Sequence, residues 1–231
     1  QALKLIDPDG VTPRRQHRVQ RRRYKARGPN HLWHLDGYKK LKPFGFCIHG
    51  CIDGYSRRIM CLEVSTTNND PRVIAKYFID CVRKVAGTPS IARVDRGTEN
   101  VKVAGIQRFL RCNDEDSFSG NSGFMYGKSV SNQRIEAWWS QLGKGCTEWW
   151  INYFKDLRDR GLYCDADIIN IECLKFCYMP VIKNELQRVA RLWNCRSIRP
   201  FTNQESPPGK PDMLYYLPTT IEDAEECKPC S

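Results

Sequence analysis

Between residues 32 and 126 the hydrophobic period switches between strand and helix spacing in a fixed order, and that order constrains the fold most. Leu32 to Tyr38 alternates loosely and reads as a strand. Two apolar, β-rich runs follow, Phe44–Ile52 and Ile59–Val64, separated by Asp53-Gly54-Tyr55-Ser56. An Asp-Gly turn between such runs predicts a hairpin. Asn69-Asp70-Pro71 then caps a helix over Val73–Val85, whose apolar residues recur at helical spacing. Ile91–Val94 is a short strand ending at Asp95, and a second helix runs from Glu99 to Leu110. Phe124–Tyr126 reads as a last short strand. Ser131 caps a further helix with Ile135, Trp138, Trp139 and Leu142 on one face. The order β-β-β-α-β-α-(β)-α implies an α/β fold with a mixed sheet.

Beyond that unit, residues 147–195 read as helical and aromatic-rich, with a break near Cys164–Ala166. Pro200, Pro207, Pro208 and Pro211 then predict an ordered loop that wraps the surface. A length of 231 residues suits one domain, or one with a smaller appendage. With 41% apolar and 11% aromatic residues the chain can build a packed core, which argues against wholesale disorder. No apolar run approaches the roughly 18 residues of a membrane span, so a membrane protein is not expected. The first residue is Gln1 and not Met, and the chain reads as a piece of a longer product.

The formal net charge is +11, and its distribution says more than its total. Residues 1–27 hold nine bases against two acids, including the run Arg21, Arg22, Arg23. Residues 219–231 hold four acids and one base. The basic block reads either as a solvated flexible tail or as an arm for nucleic acid or nuclear import. Clustered arginines neutralise phosphates and release counterions. Four regions result: a basic arm over 1–28, a core over 29–146, a helical extension and wrapping loop over 147–217, and an acidic tail over 218–231. A nuclear location is the expectation.

Twelve cysteines fall short of the density of a disulfide scaffold, and many lie inside apolar stretches such as Phe46-Cys47-Ile48 and Met60-Cys61-Leu62. They read as reduced intracellular thiols. Two arrangements have zinc-ligand character: Cys227-x-x-Cys230, and His31-x-x-His34 followed by Cys47 and Cys51. The first lacks a clear second pair, and the second straddles two strands.

Three acids stand out on this map. Asp36 lies in the first strand, Asp95 at the C-terminal end of the strand before a helix, and Glu136 on a helix. Asn132, Glu136 and Ser140 share i, i+4, i+8 spacing, opposite the Ile135/Trp139/Leu142 face. Three hard oxygen ligands converging from strands and a helix suit Mg²⁺ or Mn²⁺. Two such ions about 3.5–4 Å apart can activate the attacking oxygen and steady the leaving one in phosphodiester chemistry. Each acid alone is more often a surface carboxylate or a helix cap, and composition does not single out these three.

Resemblance does. The segments His34-Leu35-Asp36-Gly37, Cys51-Ile52-Asp53-Gly54-Tyr55-Ser56-Arg57-Arg58, Val94-Asp95-Arg96-Gly97-Thr98-Glu99-Asn100 and Asn132-Gln133-Arg134-Ile135-Glu136 resemble the integrase core domain. That domain is shared by retroviral and retrotransposon integrases and related DDE transposases. The likeness covers about residues 29–145, with a weaker echo from Trp193-Asn194 through Pro211. It implies a ribonuclease-H-like, mixed five-stranded sheet flanked by helices, with a helical C-terminal extension here. It implies an Asp-Asp-Glu triad at Asp36, Asp95 and Glu136 that binds two divalent ions, Mg²⁺ or Mn²⁺. Asp53 falls in the family's Asp-x-Tyr-Ser-Arg turn, which holds no metal. The interval between Asp95 and Glu136 is longer than retroviral custom, which points to an enlarged loop at 113–123. The zinc module that precedes retroviral cores has no counterpart in this sequence. The basic partner expected one or two turns after the Glu is also missing, since Ser140 and Gly143 stand there with Lys144 next. The look is that of transposon-type or host-domesticated integrases of eukaryotes.

The activity implied is hydrolysis at a DNA end, followed by attack of the freed 3′-hydroxyl on target DNA. Asn132 is a candidate for DNA contact, with a satisfied cap or surface amide as the alternative. Lys144, Lys128 and Arg96 are candidates for phosphate contact. The Trp138/Trp139 and Trp149/Trp150 pairs read as core and interface packing in preference to base stacking. The resemblance also implies DNA as partner and a homo-oligomer, a dimer at least. The alternative function is a domesticated DNA- or protein-binding module that keeps the fold without cutting. A nuclease using the same metal site is a third reading.

Overall fold

Strand β1, Leu32–Tyr38, is buried along its length except at Asp36 and Gly37, which are half-exposed. A strand apolar on both faces belongs in the middle of a sheet, and β1 takes that place in the computed structural model, which describes residues 26–127, 132–199 and 207–218. Strand β2, Cys47–Asp53, and β3, Ile59–Ser65, lie on one side of it, and β4, Ile91–Asp95, and β5, Phe124–Gly127, on the other. The order is β3-β2-β1-β4-β5. Pairing is antiparallel among β1, β2 and β3 and parallel from β1 to β4 to β5. This mixed five-stranded sheet is the ribonuclease-H-like arrangement expected.

The β2–β3 hairpin forms around the buried Asp53 carboxylate, which accepts the Asn30 N–H at 2.8 Å and the Ser56 N–H and hydroxyl at 2.7 Å each. Asp53 is thus a turn builder, consistent with its exclusion from the metal set. Helix α1, Pro71–Val85, starts where the Asp70 side chain accepts the Arg72 N–H at 2.8 Å. Helix α2, Val101–Leu110, follows a short 3₁₀ turn at Thr98–Asn100, so the helix expected from Glu99 begins slightly later. Helix α3 is Gln133–Leu142. Ser131, the expected cap, lies outside the described residues; Asn132 occupies the N-cap position without a side-chain cap bond. A π turn, Gly143–Thr147, carries α3 directly into α4, Glu148–Asp159. After the break around Cys164–Ala166 comes the long α5, Ile168–Cys195, and then the short α6, Pro211–Tyr216.

Each face of the sheet buries its own core. Ile48, Ile52 and Leu62 pack with Ile135, Trp138, Trp139, Phe154 and Leu186, under α3, α4 and α5. Trp33, Leu35, Cys51, Met60 and Val94 pack with Ile74, Phe78, Val103 and Ala104, under α1 and α2. The described end of the proline segment docks onto the hairpin turn. Arg57 donates to the Pro207 carbonyl, Arg58 pairs with Asp212 at 2.7 Å, and Tyr215 donates to Asn30 at 2.8 Å. All ten described cysteines are free thiols, five of them intrusions of small apolar volume into the core or its margins. No described helix is long and apolar enough to cross a membrane.

Candidate active site

The parallel pairing of β1 with β4 aligns Leu32 with Ile91, Trp33 with Ala92 and His34 with Arg93. Carried two residues further, that register sets Asp36 level with Asp95 where both strands emerge from the core. Glu136 comes from the first turn of α3. The three carboxylates line one cleft of about 400 Å³, together with Lys39, Lys40, Asn68, Asn100 and Trp139. Strand ends supply two acids and a helix crossing them supplies the third.

The helix is aligned by a buried polar lock. His34 Nδ1 lies 2.5 Å from Asn132 Oδ1, and Asn132 Nδ2 donates to the Leu35 carbonyl at 3.0 Å. Burial pulls the His34 pKa down to about 3, against the Asn132 bond, so the ring is neutral and Nδ1–H is the donor. The lock ties the N-cap of α3 to the residues just before Asp36. Asn132 is therefore not available to DNA. Its side chain is 1% exposed and fully engaged, which corrects its candidacy as a contact.

Asp36 is the most perturbed of the three acids. Burial pushes its pKa up to about 6; the Trp139 and Gly37 N–H groups oppose this, and the charges of Asp95 and Glu136 add to it. The Trp139 indole N–H reaches Asp36 Oδ2 at 2.8 Å. Gly50 makes that possible, because a Cβ there would come within 2.7 Å of the Trp139 ring. Asn100 Nδ2 holds Asp95 Oδ1 at 3.3 Å.

The three acids share the cleft, yet among the described residues no three His, Cys, Asp or Glu side chains are drawn together tightly enough to hold a metal ion. Asp36 and Asp95 are each turned to a neighbouring N–H group, the Trp139 indole and the Asn100 amide. The donor set itself fits a hard divalent cation, being carboxylate and amide oxygens around a carboxylate raised chiefly by burial. The same finding removes the His31/His34/Cys47/Cys51 zinc arrangement, whose side chains are spent in the core: His34 on Asn132, and Cys51 among Cys61 and Cys81. Cys227 and Cys230 lie outside the described residues.

Of the cations named from sequence, Lys144 is exposed in the π turn and Arg96 is exposed beside Asp95, and neither lines the cleft. Arg21, Arg22, Arg23 and Lys128 lie outside the described residues. The cations that do line it, Lys39 and Lys40, were missed. Their only signal was position, directly after the strand that carries Asp36. Trp138, Trp139 and Trp150 are buried as expected, while Trp149 is 61% exposed.

A structure of the HTLV-2 integrase catalytic core domain in complex with magnesium, in dimeric form, aligns with 83% of this chain and 99% of its own. The identity is 14% and the TM-score 0.43. Among curated proteins, none matches. The family described as Integrase core domain matches residues 23–216, which takes in every strand and helix described above. The chain belongs to the integrase core domain family.

Proposed function

We propose that this chain is a polynucleotidyl transferase that uses Mg²⁺ or Mn²⁺ to cut a DNA end and join it to target DNA. The observation that carries the reading is one cleft lined by Asp36 and Asp95, from the paired strands β1 and β4, and by Glu136. When bound, divalent ions would supply Lewis-acid activation of the attacking oxygen and charge stabilisation of the leaving one. Asp36, Asp95 and Glu136 would hold them. Trp139 holds Asp36 by its indole N–H, which favours the ionised carboxylate that a cation needs. Asn100 orients Asp95, and Lys39 and Lys40 are ready to meet the phosphates of a strand entering the cleft. The family resemblance adds DNA, a nuclear location and a homo-oligomer to this proposal. The basic arm is the segment proposed to hold DNA outside the cleft.

One observation favours a second reading, a module that binds without cutting. The Trp139 N–H already occupies Asp36 Oδ2, an oxygen that a metal would otherwise use. The deciding experiment is strand transfer of labelled DNA ends with Mg²⁺ or Mn²⁺, comparing the natural chain with Asp95→Asn. Metal-dependent joined product from the natural chain alone supports the transferase; cutting without joining identifies a nuclease; no product from either leaves the binding module. Deleting residues 1–27 should weaken salt-dependent DNA binding, and unchanged affinity would reject the arm's role.

A further inference from the structure

On the far side of α3 from the carboxylates lies a larger cavity of about 700 Å³. At about 100° per residue, Arg134 and Trp138 point to the opposite face of α3 from Glu136 and Ser140, so the two cavities do not communicate across the helix. Arg57, Arg134, Arg196 and Arg199 line this second cavity, with no acid among its described lining residues. Its apolar wall carries Trp138 and Trp193, whose rings lie 4.6 Å apart at 56°.

Among the described residues, two buried donors here have no acceptor. Arg57 is 6% exposed and its Nε makes no hydrogen bond; Trp138 is 3% exposed and its Nε1 makes none. Native interiors rarely leave buried donors unsatisfied, and a cluster of them in a cavity marks a place for a bound acceptor. Burial, and then the nearby Arg134 charge, pull the Arg57 pKa down to about 10, a like-charge crowding that an anion would relieve. Planar guanidinium forks match phosphate oxygens in pairs, and indole faces match a nucleobase.

We propose that this cavity binds a nucleotide unit, with its phosphate on the Arg57/Arg134/Arg196/Arg199 cluster and its base against the Trp193 indole, beside the Trp138 N–H. The unit is either a free mononucleotide or one unpaired residue of a nucleic-acid strand; the chemistry recognised is the same. The site is independent of the carboxylate cleft and does not rest on its function.

The test uses the full chain in EDTA, so that no metal-dependent binding contributes. A six-residue oligothymidylate, thymidine monophosphate and inorganic phosphate are titrated separately, read by quenching of tryptophan emission and by competition. Arg196 and Arg199 are exposed, so the double variant R196E/R199E keeps the fold, which its melting curve verifies. The control R83E/K84E makes the same charge change on the exposed face of α1. The proposal expects quenching by a nucleotide probe, at least about tenfold weaker binding in R196E/R199E, and little change in R83E/K84E. Binding of monophosphate and oligonucleotide alike identifies the free nucleotide; binding of the oligonucleotide alone identifies a strand. Equal affinity in R196E/R199E and R83E/K84E overturns the site, as does the absence of binding by every probe. Inorganic phosphate competing as well as the nucleotides overturns the role given to the indoles.

Discussion

The carboxylate of Asp36 is raised to about 6 by burial and by the charges of Asp95 and Glu136, with the Trp139 N–H pulling the other way. Its folded pKa therefore lies above its unfolded value of 3.8. The folded state binds the proton more tightly, so the stabilisation is full below about pH 4 and is lost as pH rises through about 6. Above that, the metal-free protein carries a buried negative charge beside two others. Asp36→Asn should then raise the metal-free melting temperature at pH 7.5 by about 2–4 °C, with the gain shrinking at pH 4. Thermal unfolding followed by circular dichroism in EDTA checks this, and a lower melting temperature at pH 7.5 would contradict it. Gly50 answers to a different constraint. A Cβ placed 2.7 Å from the Trp139 ring forces the indole aside and disturbs its bond to Asp36. Gly50→Ala should cost about 1–3 kcal/mol in urea unfolding and shift the tryptophan emission, because an overpacked aromatic has to move.

The position of α3 over the strand ends depends on one polar lock between elements. Asn132→Ala would leave the His34 N–H and the Leu35 carbonyl without their partner in a buried place. The expected loss is about 1–3 kcal/mol, measured by urea unfolding, and a neutral result would show that α3 is held by Ile135, Trp138 and Trp139 alone. The same lock makes the protein acid-sensitive. His34 has a folded pKa of about 3 against 6.5 unfolded, so its contribution is lost as pH falls through that window. How much of this was legible follows from what short-range spacing encodes. β1 came out at its observed limits, Leu32–Tyr38, and α1 within two residues of its start, since period and the Asp70-Pro71 cap are local signals. Asp36, Asp95 and Glu136 were legible only through family likeness, although the cleft they share is real. The inward turn of Asn132 was not legible, because it answers a buried histidine nearly a hundred residues away. The π turn that fuses α3 to α4 was hidden too, since Gly143 and Gly145 read locally as a break where the helix continues.

At the scale of the whole molecule, charge and exposed apolar surface are divided among regions. Residues 1–27 account for +7 of the net charge, leaving +4 on the other 204 residues, so under the proposed function the arm would supply most of the long-range attraction for DNA. Elsewhere, α5 presents an apolar face that no described residue covers: Ile169, Cys173, Phe176 and Cys177 follow helical spacing and line one shallow pocket with Ile168 and, at its edge, Glu172. Phe176 is 84% exposed and Ile168 72%. An exposed apolar patch can serve as an interface, and under the homo-oligomer proposed above its occupant is a second copy. Phe176→Glu should then convert a dimer to a monomer in sedimentation equilibrium without lowering the melting temperature of the monomer, because the side chain touches solvent and not core. Cyclic symmetry makes the test sharp. In an isologous dimer the patch faces itself, so a single substitution introduces two charges into one apolar contact, and the dissociation constant should rise by more than about tenfold. A dimer that survives the change unaltered would move the interface to another face, and a natural chain that sediments as a monomer would remove it.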